Sequence, residues 1–196
     1  MALLTKSELI RGYQKRAYSF SVGESFQKTA AANELIRETK AFQHSKRYDI
    51  FLSHSYSDAR IIKELRDILV GLGFSVYVDW IEDSDLNRGK VTKLTALVIR
   101  NRMNNCRCLL YATSDAAKKS VWMPWELGYM DAKTRQRVAI VPIVEESEKT
   151  KEFKGQEYLG IYPYVDRTGG RFYVRESLSK YVDLRSWIGG TDPQKH

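Results

Sequence analysis

From residue 48 onward, short apolar runs alternate with segments whose apolar residues recur every three or four positions. Residues 48–54, YDIFLSH, form the first run. In DARIIKELRDILVGLG the residues Ile61, Ile62, Leu65, Ile68, Leu69 and Leu72 fall at helical spacing, and Gly71 and Gly73 stop the pattern. FSVYVDW (74–80) reads as a second strand and IEDSDLNRGK (81–90) as a polar loop. The helix VTKLTALVIRNRMNN, the strand CRCLLYAT, a helix around WMPWELGYMDAKT and the strand RVAIVPIV follow in turn. YLGIYPYVDR and then FYVRESLSKYVDLRSWI are expected to supply an edge strand and a last helix, with GGTDPQKH as a frayed tail. Strict alternation of strand and helix implies right-handed crossovers and a three-layer α/β fold, its mostly parallel central sheet covered by helices on both faces.

Residues 1–46 differ. They are basic and contain no strand-like run, and SELIRGYQKRAYSF and SFQKTAAANELIRETKAFQ both read as helices, with Ser7 and Ser25 as caps and Ala30, Ala31 and Ala32 favouring helix. The expected organisation is a helical N-terminal extension (1–46), a main domain (47–188) and a flexible tail (189–196).

Composition narrows the class. With 196 residues, 43% hydrophobic and 29% charged, the chain can build one real core plus an appendage. No run approaches the roughly 18 apolar residues of a membrane span, and Lys6 and Glu8 interrupt the start before a signal-like core can form, so a cytoplasmic protein with no membrane role is expected. The formal charge is +8, but Lys and Arg are scattered among acids, as in KELRD and RETK, and no basic cluster is interleaved with aromatics; nucleic acid is not an expected partner. Cys106 and Cys108 would share one face of their strand as buried free thiols. Nor do His44, His54 and His196 show ligand spacing, so no metal is expected.

Absences prune the chemistry. There is no G-x-G-x-x-G after a strand, no H-E-x-x-H and no G-x-S-x-G, and Ser84 stands where a P-loop ending at Gly89 and Lys90 would need glycine. In a parallel sheet, ligands lie beyond the carboxyl ends of the strands, which here means Ser53–Asp58, Asp79–Gly89 and Thr113–Ser120. The last of these leads into Ser120-Val-Trp122-Met-Pro-Trp125-Glu126, where Pro124 suits a first helical turn and places Glu126 near the helix start beside an indole. Two readings fit: a carboxylate that complements the helix dipole while the tryptophans fill core, or an acid beside an aromatic wall at a ligand site. His54, ending a strand, is equally a satisfied structural residue or a proton carrier. Asp79 is a turn residue or a ligand contact.

From about Tyr48 to Val165 the chain resembles a Toll/interleukin receptor (TIR) domain of the bacterial type. The resemblance rests on YDIFLSHS in the first strand, FSVYVDW before the long loop, and S-x-W-x-x-x-E at Ser120, Trp122 and Glu126. It implies a flavodoxin-like fold and an enzyme that cleaves the nicotinamide–ribosyl bond of NAD, releasing ADP-ribose or a cyclic or transferred ADP-ribose signal. NAD would be the substrate, with no separate cofactor. The resemblance makes Glu126 the catalytic residue and places Ser53, His54, Ser55, Tyr56, Asp79, Trp80 and Trp122 around the substrate. Some members carry arginines where this chain has Ser55 and Tyr56, so hydroxyls and backbone N–H groups would have to hold the phosphates. The chain is similar to the TIR subunits of Thoeris-type anti-phage systems. That likeness implies TIR–TIR self-association on activation, a phage-derived trigger and a separate effector that senses the product. The competing class is a TIR interaction module without chemistry.

Overall fold

Side chains from successive residues of the first long strand enter opposite cores: Ile50 and Leu52 pack into one hydrophobic cluster and Phe51 into the other. In the computed structural model, which describes residues 2–17, 47–78, 93–114, 117, 120–149, 152–154 and 157–196, this alternation builds a sheet buried on both faces. Its strands are β1 (Leu4–Thr5), β2 (Tyr48–Ser53), β3 (Val76–Val78), β4 (Cys106–Thr113), β5 (Val138–Val144), β6 (Tyr164–Thr168), β7 (Arg171–Ser177), β8 (Lys180–Asp183) and β9 (Gln194–Lys195). The helices are α1 (Lys6–Ala17), α2 (Ala59–Gly71), α3 (Lys93–Asn104), α4 (Met123–Thr134) and α5 (Leu184–Gly189). None of the helices among the described residues is long and apolar enough to cross a membrane.

The strand order is β3-β2-β4-β5-β6-β7-β8-β9, with the first five parallel and the rest antiparallel. The parallel part has the flavodoxin-like order, in which the chain direction across the sheet reverses between β2 and β4; the crevice beyond the carboxyl ends at that reversal is where such sheets take ligands. Helices α1, α2 and α5 supply Leu9, Ile62, Leu65 and Trp187 to one cluster. Helices α3 and α4 supply Ile99, Met103, Leu127 and Met130 to the other.

The described part of the N-terminal segment, residues 2–17, adds a short strand to the sheet ahead of its helix. Leu4 and Thr5 pair in parallel with Ile143 and Val144, and Leu3 and Leu4 bury into opposite clusters. Two paired residues are too few to show alternation in the sequence. Helix α1 starts at a reciprocal capping box: Thr5 Oγ1 accepts from the Glu8 N–H at 3.2 Å, while Glu8 Oε2 accepts from the Thr5 N–H at 3.3 Å. Thr5, not Ser7, is therefore the cap; Ser7 Oγ instead donates to Glu146 at 2.9 Å. The expected helix over 25–43 lies outside the described residues.

The C-terminal part also departs from expectation. FYVRESLSKYVD is two antiparallel strands and not helix, and only Leu184–Gly189 is helical. Gly169 and Gly170, at φ +58 and +79, close the β6–β7 hairpin in the left-handed region that tight hairpins require. Across it, Arg175 Nε donates to the fully buried Asp166 at 2.8 Å. The expected frayed tail is tied down, with Lys195 and Gln194 paired to Lys180 and Tyr181.

Cys106 and Cys108 are buried free thiols, but they do not share a face. Cys108 packs on the α2 side, whereas Cys106, the first residue of β4, joins the α3 side, where its thiol lies 3.5 Å from the Arg102 carbonyl. Alternation begins only once the strand has left the preceding helix. Burial pushes the Cys106 thiol up to about 12, and Cys108 is likewise raised, by burial first and then by Cys106 and Asp49.

Two predictions follow from this packing. A Cβ on Gly12 would overlap the carboxyl of buried Glu64 on α2. Gly12→Ala should therefore lower stability in urea by about 1–3 kcal/mol, although alanine is the better helix former by about 1 kcal/mol. In a Glu64→Ala background the same change should become neutral or stabilising, and an equal loss in both backgrounds would refute the contact. The raised Cys106 value also means the folded state keeps its proton while the unfolded chain loses it. The thiol's contribution is thus complete below pH 9.0 and disappears as pH rises toward about 12. Stability should fall over that window less steeply in Cys106→Ala than in the parent, as measured by denaturant titration at stepped pH.

Candidate active site

The site grows from the register of two strands. Ser53 ends β2 and is paired with Tyr111 of β4 on the opposite side of the chain reversal. Alternation from Phe51 to Ser53, and from Leu109 to Tyr111, points both side chains to the face covered by α4. That helix begins where Ser120 Oγ accepts from the Met123 N–H at 3.3 Å, with Pro124 in the first turn. Glu126 is thereby fixed in the first turn, at the positive end of the helix dipole.

The two elements meet in one short hydrogen bond, in which Ser53 Oγ donates to Glu126 Oε2 at 2.6 Å. Both residues are out of solvent, at 0% and 1% exposure. A carboxylate so placed is costly unless its oxygens are held, and the Ser53 hydroxyl holds one of them. Tyr111 completes the group. It is also buried; burial first, then the nearby Tyr158 and Glu126, keep its phenol protonated well above the usual tyrosine range.

The other expected residues fall around this centre in different ways. His54 is buried, and its Nδ1 donates to the Leu52 carbonyl at 2.8 Å, so one ring nitrogen is committed to the strand's own backbone. Ser55 and Tyr56 enter a short 3₁₀ turn, Tyr56–Asp58, where the Ser55 carbonyl accepts from the Asp58 N–H at 3.0 Å. Trp122 is buried against the α4 side of the sheet and meets Trp125 edge-to-face at 5.7 Å. Trp125 in turn stacks on Tyr129, and the Arg100 guanidinium lies over both rings. Asp79 and Trp80 lie outside the described residues.

Sequence reasoning did not find Tyr111 or Tyr158, and it placed Asp58 and Ser114 in candidate segments without singling them out. Asp58 and Ser114 tie the loops after β2 and β4 together across the reversal, with Ser114 Oγ donating to Asp58 at 2.5 Å and accepting from the Ala117 N–H at 3.1 Å. The signal for Tyr111 was present: it stands two residues after Leu109, near the carboxyl end of a strand that flanks the crevice.

A cleft of about 760 Å³ opens beyond the ends of β4 and β5, within the range of small-molecule sites. Tyr111, Ser120 and Pro124 form its wall toward α4, and Leu3, Phe153, Tyr158 and Leu159 add an apolar side. Glu126 and Trp122 are not in that wall, which Tyr111 lines. Among the described residues the wall also holds Glu145, Glu148, Glu152 and Glu157 and one basic residue, Lys154.

Residues 50–185 match the family described as the TIR domain, and the chain belongs to that family. It is 43% identical over 197 aligned positions, 96% of this chain and 98% of the other, to the "Probable 3' cyclic ADP-D-ribose synthase ThsB'" of Bacillus cereus (strain MSX-D12). Over 93 positions, 47% of this chain and 24% of the other, it is 36% identical to the "Putative cyclic ADP-D-ribose synthase TIR2" of Cytobacillus dafuensis.

The buried pair makes a stability prediction. Ser53→Ala leaves a carboxylate oxygen without its donor and should cost about 1–3 kcal/mol in denaturant unfolding. In a Glu126→Gln background, where no charge is stranded, the same change should cost less. Equal costs in both backgrounds would show that the hydrogen bond does not support the acid.

Proposed function

We propose that the protein is an NAD-consuming TIR enzyme that breaks the nicotinamide–ribosyl bond and yields ADP-ribose or a cyclised ADP-ribose. The observation that carries this reading is the Glu126 carboxylate, buried at the sheet's reversal point and held by Ser53 at 2.6 Å. The names of the two relatives, both cyclic ADP-D-ribose synthases, support it.

One carboxylate suffices for this chemistry. The bond from ribosyl C1′ to the pyridinium nitrogen breaks with both electrons passing to nitrogen, so nicotinamide leaves neutral and needs no general acid, unlike ordinary glycosides. Positive charge then develops over C1′ and the ring oxygen. A fixed, desolvated carboxylate stabilises that charge without having to reorganise, which is the largest contribution available to such a site. An intramolecular adenine nitrogen or ribose hydroxyl, or water, captures the cation and releases one proton where the nucleophile carries one; exclusion of water favours the intramolecular route. Trp122, one helical turn before Glu126, offers an indole for the nicotinamide side, and Ser55, Tyr56, Asp79 and Trp80 are the further substrate contacts in this reading.

The wider setting belongs to the same proposal. NAD is substrate and not a resident cofactor, the active form self-associates in the cytoplasm after a phage-derived trigger, and a separate effector reads the product. The near full-length similarity to the Bacillus cereus protein supports this setting.

Incubation of the purified protein with NAD should release nicotinamide, and mass spectrometry should identify an ADP-ribose product. Glu126→Gln should reduce turnover by at least about 100-fold. No nicotinamide release over a range of protein concentrations, or turnover that survives in Glu126→Gln, would remove the enzyme reading and leave an interaction module.

A further inference from the structure

The connections that follow β2 and β4 leave the sheet on opposite faces. Helix α2 packs Ile62 and Leu65 into one cluster and α4 packs Leu127 and Met130 into the other, so the two loops part where the strand ladder ends, at the pair Ser53 and Tyr111. That parting opens the crevice at the reversal of the parallel sheet. It also separates the two halves of the site. Ser55 and Tyr56, assigned to the substrate, follow β2, whereas Trp122 and Glu126 begin α4.

A hydrogen bond spans the gap between these lips. Asp58 stands at the N-cap of α2, where aspartate ordinarily accepts from its own helix, yet its side chain makes no cap hydrogen bond. Its carboxylate accepts instead from Ser114 Oγ at 2.5 Å, across the reversal. A hydroxyl bonded to a carboxylate is among the stronger hydrogen bonds a protein makes.

Further links continue from both ends of this bond. On the β2 side the Asp58 N–H donates to the Ser55 carbonyl at 3.0 Å. On the β4 side Ser114 Oγ accepts from the Ala117 N–H at 3.1 Å, the Ala117 carbonyl accepts from the Ser120 N–H at 3.0 Å, and Ser120 Oγ accepts from the Met123 N–H at 3.3 Å. Five consecutive hydrogen bonds thus join the turn that carries Ser55 and Tyr56 to the first turn of α4 and its acid. Four of the five lie within one lip, and the Asp58–Ser114 bond is the link that crosses.

We propose that Asp58 and Ser114 are positioning residues that set the spacing between the two lips of the crevice during NAD cleavage. The inference rests on the NAD-cleaving reading and deepens it, by naming what holds the acid at a fixed distance from the loop that grips the substrate. Neither residue touches the reacting atoms in this scheme. NAD binding draws on many contacts, but the transition state needs the carboxylate against C1′ of a ribose held by the opposite lip, and a small misplacement costs it more than the ground state. The loss on cutting the bond therefore falls on kcat rather than KM.

The test uses the full chain, with nicotinamide release followed across NAD concentrations at a temperature below every variant's thermal midpoint. Ser114→Ala and Asp58→Ala should each lower kcat by about tenfold, as for one lost charge-assisted hydrogen bond, with KM within about threefold of the parent's. The double variant should be no slower than the worse single one, because the two groups act as one unit. Asp58→Asn keeps an acceptor oxygen for the Ser114 hydroxyl and should retain kcat within about threefold. A bond that served stability alone would lower the thermal midpoint and leave kcat unchanged below it. Parental kcat in both alanine variants, losses confined to KM, multiplicative losses in the double variant, or an Asp58→Asn protein as slow as Asp58→Ala would each overturn the inference. Any of these results in an active parent leaves the NAD-cleaving reading intact. An inert parent protein would remove that reading and this inference with it.

Discussion

A carboxylate taken out of water on a helix's first turn is tolerable only if the fold delivers partners to it, and here the sheet does so by register. The side-chain period of β2 decides that Ser53 faces α4 while Leu52 faces the opposite core. A slip of one residue would turn the hydroxyl away and leave Glu126 against hydrocarbon. The residues that specify this register are ordinary core residues, Ile50, Phe51 and Leu52, all fully buried. The geometry of the acid thus depends on packing that carries no chemistry of its own. Further anchoring comes from the Asp58–Ser114 hydrogen bond, which fixes the two loops that frame the crevice.

Much of the fold could be read from the sequence because its strands and helices alternate with strong periodic patterns. The stripe Ile61, Ile62, Leu65, Leu69 became the buried face of α2, and Ile68 packs at its margin. The failures have local causes. Lys63 and Glu64 look like a solvated face but are buried, because α1 covers them and Gly12 allows the approach. The 172–183 segment contains enough charged residues to mimic a helix. The paired glycines before it and the spacing of the buried Phe172 and Val174 argue for strands, and tertiary pairing with β6 settles the matter.

The site was legible only in part. The residues of the S-x-W-x-x-x-E motif do lie together at the start of α4, and Ser53 does reach Glu126, but the nature of that contact could not be inferred: a serine at a strand end gives no sign that it will bond the acid and not a ligand. Tyr111 was hidden for the opposite reason. An aromatic in a hydrophobic strand looks like core, which it also is, and only the register with Ser53 brings it to the site. The cleft was visible only in part: Thr113, Ser114, Ala117 and Ser120 lie in a segment picked out from the sequence, whereas Leu3, the end of β5, Glu152, Phe153 and Tyr158 share no common pattern with it.

The pairing of Leu4 with Ile143 bears on how the molecule is made. Leu4 and Thr5 belong beside a strand that is synthesised far later, and the Arg167 N–H donates to the Ala2 carbonyl from farther still. Until those partners emerge, Leu4 and Thr5 lack their neighbouring strand, although α1 can already pack on α2, and closing so long a loop is slow. The wall of the cleft that Leu3 provides is consequently among the last parts of the protein to assemble, so a nascent or truncated chain lacking β5 could not present it.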